Sequence, residues 1–334
     1  MTPDRAPFGI LSDGRTVDVL TLRRGPLTAR VLTLGAILQD LRLDGHDHAL
    51  TLGSPDLSAY EGPLAYFGAV VGPVANRIAG AQARVCGEVR HFEANQGGRH
   101  TLHSGSSGLH AQVWEVVDQG ADFAVLAVDL ADGTGGFPGN RRVMATYRLT
   151  DTPGLSVRLE AETDADTLMN LAHHGYWTMD GGATWEGQRL QVLAHRYLPV
   201  DGEQIPRGEV ASVEGTPFDF REPREATEAS AGHLDHNYCL AEARRGMTPA
   251  LRLTGRNGLT LEVATTEPGL QVFGAATLHA EDYATHHGTG YGPFAAFAIE
   301  PQVWPDAPNH NDFPSVLLRP GERYEQETEF RFLR

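Results

Sequence analysis

Apolar and polar residues alternate with a period of two through many short stretches of this chain, and turn residues separate the stretches. Thr16-Val17-Asp18-Val19-Leu20-Thr21-Leu22, Ala124-Val125-Leu126-Ala127-Val128-Asp129-Leu130 and Leu155-Ser156-Val157-Arg158-Leu159-Glu160-Ala161 each predict a strand. The last reads as half-buried, with one apolar and one polar face. Arg256-Asn257-Gly258, between Leu251-Arg252-Leu253 and Leu259-Thr260-Leu261-Glu262-Val263, predicts a hairpin. Its Asn-Gly step suits a type I′ turn, in which both central residues have positive φ. Helical periodicity is never sustained beyond about three turns, so only short helices are expected, at Pro55 to Tyr60 and Glu222 to Ala231. A rhythm of strand and long helix is missing, which argues against a parallel α/β sheet. With no composition break, linker or short repeat, the expectation is one domain over residues 1–334. Its class is all-β, a large antiparallel sandwich.

Composition narrows the function classes. The chain has 334 residues, 41% hydrophobic and 21% charged, and a formal net charge of -16. An acidic chain is a poor partner for nucleic acid or an anionic membrane, because phosphate binding needs a basic surface. Cys86 and Cys239 are the only thiols. Two thiols make no disulfide framework, and no C-x-x-C pair offers zinc or redox chemistry. Neither a signal-peptide core nor an apolar run of membrane-spanning length is found, so a cytoplasmic enzyme is expected.

The residues able to do chemistry fall in five places. Phe294-Ala295-Ala296-Phe297-Ala298-Ile299 is an apolar run that ends in Glu300-Pro301-Gln302. Pro301 biases Glu300 toward extended backbone, and alternation puts Glu300 on the face of Phe294, Ala296 and Ala298. A carboxylate among small apolar side chains is desolvated, which raises its pKa and suits it to base chemistry. The other reading is a solvated carboxylate at a strand end. Asn76-Arg77 follows an apolar run and offers several donors in fixed geometry, fit for sugar hydroxyls or for tying down a loop. His100 and His103 precede a Gly/Ser turn but lack the further converging ligands of a metal site. If His173-His174 is extended, its two rings point to opposite faces and only one can reach a given pocket; the other reading is a buried structural histidine bonded to backbone. Asp235 can accept from hydroxyls, orient a histidine, or simply sit in a turn. His286-His287 reads as surface loop.

In this order the clusters resemble the aldose 1-epimerase (galactose mutarotase) family. The resemblance rests on Tyr66-Phe67-Gly68 through Asn76-Arg77-Ile78, Leu102-His103, Asp132-Gly133 through Phe137-Pro138-Gly139, and Asn170-Leu171 through His174-Gly175-Tyr176-Trp177. It continues through Asp235-His236-Asn237-Tyr238, Glu267-Pro268-Gly269-Leu270-Gln271, and Glu300-Pro301-Gln302 through Trp304-Pro305-Asp306-Ala307 with Leu318 to Glu322, and so spans nearly the whole chain. It implies a β-sandwich with the sugar in an open cleft, Glu300 as general base and His174 as general acid. His103, Arg77, Asp235 and Gln271 would hold the sugar, and Asn76 would support them. The implied chemistry uses no cofactor or metal, and the implied partner is a free monosaccharide bound by a monomer or homodimer. Pro73, Ser104, His173 and Thr178-Met179 depart from the usual pattern around these residues, which leaves the preferred sugar open.

A base and an acid on either side of a cyclic hemiacetal suffice to open it. Rivals to this reading are an epimerase of phosphorylated hexoses, a non-catalytic carbohydrate-binding protein on the same scaffold, and a metal-dependent hydrolase or lyase using the histidine-rich segments.

Overall fold

The computed structural model describes residues 4–334. Two large sheets dominate it. The nine-stranded sheet runs Glu115–Gln119, Phe123–Leu130, Arg141–Thr150, Gly154–Thr163, Tyr324–Leu333, Thr260–Thr265, Thr248–Thr254, Arg189–Val192 and Arg224–Glu225. The six-stranded sheet runs Gly175–Trp177, Phe297–Gln302, Gly269–Phe273, Asp235–Cys239, Arg196–Tyr197 and Ala211–Ser212. A four-stranded sheet of Asp4–Ile10, Thr16–Arg24, Leu27–Leu32 and Leu38–Leu43 completes the main framework. Every strand ladder among the described residues is antiparallel, and the one parallel pairing is an isolated bridge between Val74 and Asn170. This is the all-β sandwich that the alternation predicts.

The apolar side chains show which faces meet. Leu126, Ala145, Tyr147 and Leu159 of the nine-stranded sheet share one buried cluster with Tyr238, Leu270, Val272, Phe297 and Ile299 of the six-stranded sheet. Each fully buried residue of this kind contributes about 1.5–3 kcal/mol relative to exposure. Because side chains alternate along a strand, the same three strands turn Asp235, Gln271 and Glu300 to the opposite face. Register then brings them together: Gln271 pairs with Glu300 on one side and with Asn237 on the other. Pro301 is tolerated inside this sheet because its neighbour Gly175–Trp177 ends opposite Ile299, leaving an unpaired edge there.

Four local expectations need correction. The hairpin at Arg256-Asn257-Gly258 forms, but only Gly258 has positive φ, at 84°. Gly258 N–H donates to Gly255 O and Gly255 N–H to Leu259 O, a three-residue loop with one left-handed residue rather than a type I′ turn. Phe294 does not share the face of Glu300. Its φ is 67°, the strand begins only at Phe297, and Phe294 packs on the core cluster instead. The polar face of Gly154–Thr163 is covered rather than open: Arg158 meets Glu160 and Glu325, and Arg323 meets Glu160. His286 and His287 are half-buried, bonded to Gln39 O and Ala49 O. The short helices appear as a 3-10 turn at Leu57–Glu61 and an α-turn at Glu228–Ala231, the latter capped by Thr227. No helix among the described residues is long and apolar enough to cross a membrane.

Candidate active site

Three segments converge above the outer face of the six-stranded sheet. Arg77–Ile78 pairs with Thr101–Leu102, which brings Asn76 and His103 side by side. His103 N–H donates to Asn76 O at 2.9 Å, and Asn76 N–H donates to His103 Nδ1 at 3.1 Å. Asn76, His103 and Ser104 all have positive φ, at 58°, 49° and 66°. Left-handed backbone in non-glycine residues costs on the order of 1–3 kcal/mol each and persists where the surroundings impose it. Ser104, one of the departures from the family pattern, is held at both ends: its Oγ accepts from Val74 N–H and donates to Val74 O. The third segment is His173-His174. His173 packs on Tyr147 and Phe330 in the core, while His174 lies against Tyr176 and His103. Alternation therefore separates the two histidines as expected.

These residues line a cavity of about 270 Å³. Six of the seven residues singled out from sequence face it: Asn76, Arg77, His103, His174, Asp235 and Glu300. Gln271 stands behind, where its Nε2 donates to Asp235 Oδ1 at 2.6 Å. Tyr66, Gln96, Tyr176, Phe273 and Thr277 also line the cavity and were not singled out. Tyr176 was within reach of the alternation argument, being two residues beyond His174. Gln96 and Thr277 sit on loops with no periodicity to expose them. Larger surface grooves of about 560 and 580 Å³ lie elsewhere, lined by charges that pair with one another, Arg142 with Asp129 in one and Arg221 with Asp219 in the other.

The electrostatics centre on Glu300 and His174. His174 Nε2 is 3.5 Å from Glu300 Oε1, and both side chains are buried. Burial, reinforced by the charge of Asp235 and opposed by Arg77, pushes Glu300 up to about 8. Burial, reinforced by His110, pushes His174 down to about 4. Glu300 Oε2 and His174 Nδ1 have no hydrogen-bond partner among the described residues. Arg77 is braced on three sides: Nε donates to Gln96 Oε1 at 2.8 Å, Nη1 to Asn76 Oδ1 at 3.4 Å, and Nη2 lies 3.9 Å from Asp235 Oδ2.

His103, His174 and Glu300 bring their ligand atoms within 4.8 Å of one another, close enough to ask whether they suit a metal. The donor set does not fit. His103 Nδ1 accepts the Asn76 N–H, so the proton of the neutral ring sits on Nε2. A protonated Nε2 is a donor to a hydroxyl and has no lone pair for a cation. His100, which the sequence placed beside His103, turns away and accepts Gly80 N–H through Nδ1.

A family model described as aldose 1-epimerase matches residues 18–331. The chain belongs to the aldose 1-epimerase family. It is 36% identical over 340 residues to a galactose mutarotase of Homo sapiens, covering 98% of each chain. It is 32% identical over 349 residues to an aldose 1-epimerase of Escherichia coli K12, covering 99% of this chain and 98% of the relative. Its fold matches an aldose epimerase homologue from C. elegans with a TM-score of 0.88, at 29% identity over 94% of this chain and 98% of the other. A galactose 1-epimerase from Lactobacillus acidophilus gives 0.85, at 26% identity over 99% and 98%. The family is one of carbohydrate isomerases, and the chain is an enzyme of this type, interconverting sugar anomers.

Proposed function

We propose that Glu300 and His174 are the proton-transferring pair that interconverts the α and β anomers of a free aldose. The observation that carries this reading is their 3.5 Å contact in a cleft wall, with an oxygen and a nitrogen left unsatisfied. The two oxygens of a hemiacetal share one carbon, so the group that takes the anomeric hydroxyl proton and the group that protonates the ring oxygen must themselves be neighbours. Glu300 takes the first proton and His174 delivers the second. The ring opens, the chain turns about C1–C2, and closure on the other carbonyl face reverses both transfers. Each positioned group is worth on the order of a hundred- to ten-thousand-fold.

The pair needs one proton between its two members throughout. Carboxylate with imidazolium, and carboxyl with neutral imidazole, are the two placements of that proton. Burial favours the second, and ring opening generates the same second placement. Asp235, Arg77 and the Nε2–H of His103 supply acceptors and donors for the remaining hydroxyls, with Gln271 and Asn76 bracing them. Charged and amide partners of this kind reject a sugar that lacks the matching hydroxyl. A cavity near 270 Å³ is smaller than the usual pocket for drug-sized ligands and suits one monosaccharide.

A phosphorylated hexose fits less well. Among the described residues Arg77 is the only Lys or Arg lining the cavity, and Asp235 flanks it. The test is polarimetric: α-glucose and α-galactose should reach equilibrium faster with protein than without, and glucose 6-phosphate should gain less. Equal rates with and without protein on all aldoses would sink the proposal. A reducing compartment such as the cytoplasm suits the chain, since Cys86 and Cys239 are both free thiols.

A further inference from the structure

The loop before His103 carries a second amide whose chemistry the proton-transfer pair does not use. Gln96 N–H donates to His100 O, and both Arg99 N–H and His100 N–H return to Gln96 O. Gly97 and Gly98 make this closure possible, with φ of 59° and 66°. One residue earlier, Asn95 bonds Leu102 through both ends of its amide: Leu102 N–H donates to Oδ1 at 2.7 Å, and Nδ2 donates to Leu102 O at 3.0 Å. The backbone at Gln96 is therefore fixed although the loop is at the surface.

Its side chain has only one chemically allowed orientation. Arg77 Nε can donate but never accept, so the atom 2.8 Å from it must be Oε1. The other end of the amide, Nε2 with two N–H donors, has no partner among the described residues, and Gln96 lines the cleft. Gln96 accepts from Arg77 Nε, and Asp235 lies 3.9 Å from Nη2 of the same guanidinium. Gln96 reaches the cleft through Arg77 and bonds neither Glu300 nor His174, so its free amide end is offered to the sugar away from the proton-transferring pair.

We infer that Gln96 is a specificity-determining residue, whose Nε2 donates to the hydroxyl on C3 or C4 of the bound aldopyranose. Those carbons lie across the ring from the C1–O5 bond that opens. Glucose and galactose differ at C4, so this donor acts where the two sugars differ. The inference rests on the function proposed above, and its test separates the two. Mutarotation of glucose and galactose is compared with that of their 2-, 3- and 4-deoxy-fluoro analogues, in wild type and in Q96E. Fluorine accepts weakly and never donates. Glutamate keeps an oxygen for Arg77 Nε but puts a second acceptor where the amide donor was. We expect wild type to handle one of the 3- or 4-fluoro sugars within about tenfold of its parent. Q96E should lose about a further tenfold on that same sugar, in KM rather than kcat, with the 2-fluoro ratio unchanged. Circular dichroism checks the fold. Should Q96E not fold, Q96M, neutral and of similar length, must abolish the advantage of that fluoro sugar over the corresponding deoxy sugar. Equal fluoro-to-parent ratios in both enzymes at C3 and C4, or a uniform loss on every sugar, overturns the assignment. Failure of wild type to accelerate mutarotation of the parent sugars overturns the function itself.

Discussion

Two Glu-Pro steps lie side by side in the same sheet region and have opposite fates. Glu267-Pro268 leads into the strand Gly269–Phe273, and Glu300-Pro301 lies in its neighbour Phe297–Gln302, with Gly269 opposite Gln302. Both carboxyls are buried. Glu267 is met by Arg244, whose Nε is 2.6 Å from Oε1 and whose guanidinium covers the Tyr324 ring at 4.2 Å. Burial raises Glu267 and Arg244 counters it, so the charge is compensated. Glu300 has a neutral imidazole at 3.5 Å and an oxygen with no partner. Burial alone therefore does not mark a catalytic carboxyl. What distinguishes Glu300, the proposed base, is that its surroundings leave one of its oxygens without a partner, open to a substrate.

The sharpest break of this comparison is to neutralise each carboxyl in turn. Glu300→Gln should lower kcat by on the order of a hundred- to ten-thousand-fold while the protein stays folded, because the amide keeps the shape and cannot take a proton. Its stability should also improve relative to wild type as pH rises. Glu300 ionises near its ordinary 4.5 in the unfolded chain and near about 8 in the folded one. A raised pKa contributes stability that is present below 4.5 and lost as pH climbs toward 8, a loss of a few kcal/mol that the variant escapes. Melting curves across pH 4.5–8 measure it, and a constant difference between the two proteins would contradict the shift. The same variant with near wild-type kcat would show that Glu300 is not the base.

Glu267→Gln should do the reverse. It leaves the Arg244 charge without its counter-ion, a loss on the order of 3 kcal/mol, at the low end because Arg244 is 32% exposed. Urea denaturation should show the drop, with kcat changed by no more than about threefold. A large kcat loss in a folded Glu267→Gln protein would erase the distinction drawn between the two sites.

Much of this was legible in the sequence, and the reasons for the rest are physical. Alternation is local, so it placed Glu300 on the face of Ala298 and split His173 from His174 without knowledge of the partner strands. The position of Gln271 behind Asp235 depends on the pairing of strands about thirty residues apart, which no local pattern encodes. The same is true of the Arg244 contact that separates Glu267 from Glu300. Phe294 misled because an apolar run hid a left-handed residue, and nothing in Phe itself signals positive φ. Gln96 was invisible because a loop has no period.

A smaller effect sharpens the electrostatic half of the comparison. The Glu300–His174 pair should give a bell-shaped pH dependence of kcat/KM, with limbs near about 4 and about 8. Below the lower limb the pair holds two protons and the carboxyl cannot accept another. Above the upper limb it holds none, and nothing protonates the ring oxygen. Each limb belongs to the pair rather than to one residue. Rates should fall up to tenfold per pH unit outside the limbs, and a profile still rising from pH 8 to 10 would contradict the shared-proton account.

The smallest expected effect is that of His173→Asn, set against its neighbour within one dipeptide. His174→Asn should lower kcat on the scale of Glu300→Gln, whereas His173→Asn should leave it within about threefold. Burial, with His174 beside it, pushes His173 down to about 3, so it is neutral across the working range and has no proton to deliver. Its ring sits among Tyr147 and Phe330, on the face that packs against the nine-stranded sheet. The price of its removal is packing: asparagine is smaller, and the space it leaves should cost on the order of 1 kcal/mol in stability. His173 is also unsatisfied, both ring nitrogens being buried without partners among the described residues. It therefore shows that an unsatisfied polar group needs a second property, access to a cleft, before it can do chemistry. Parallel kinetics and melting of the two variants decide the point. If His173→Asn is the inactive one, the strand faces the cleft one residue out of the register described, and the roles of the two faces exchange.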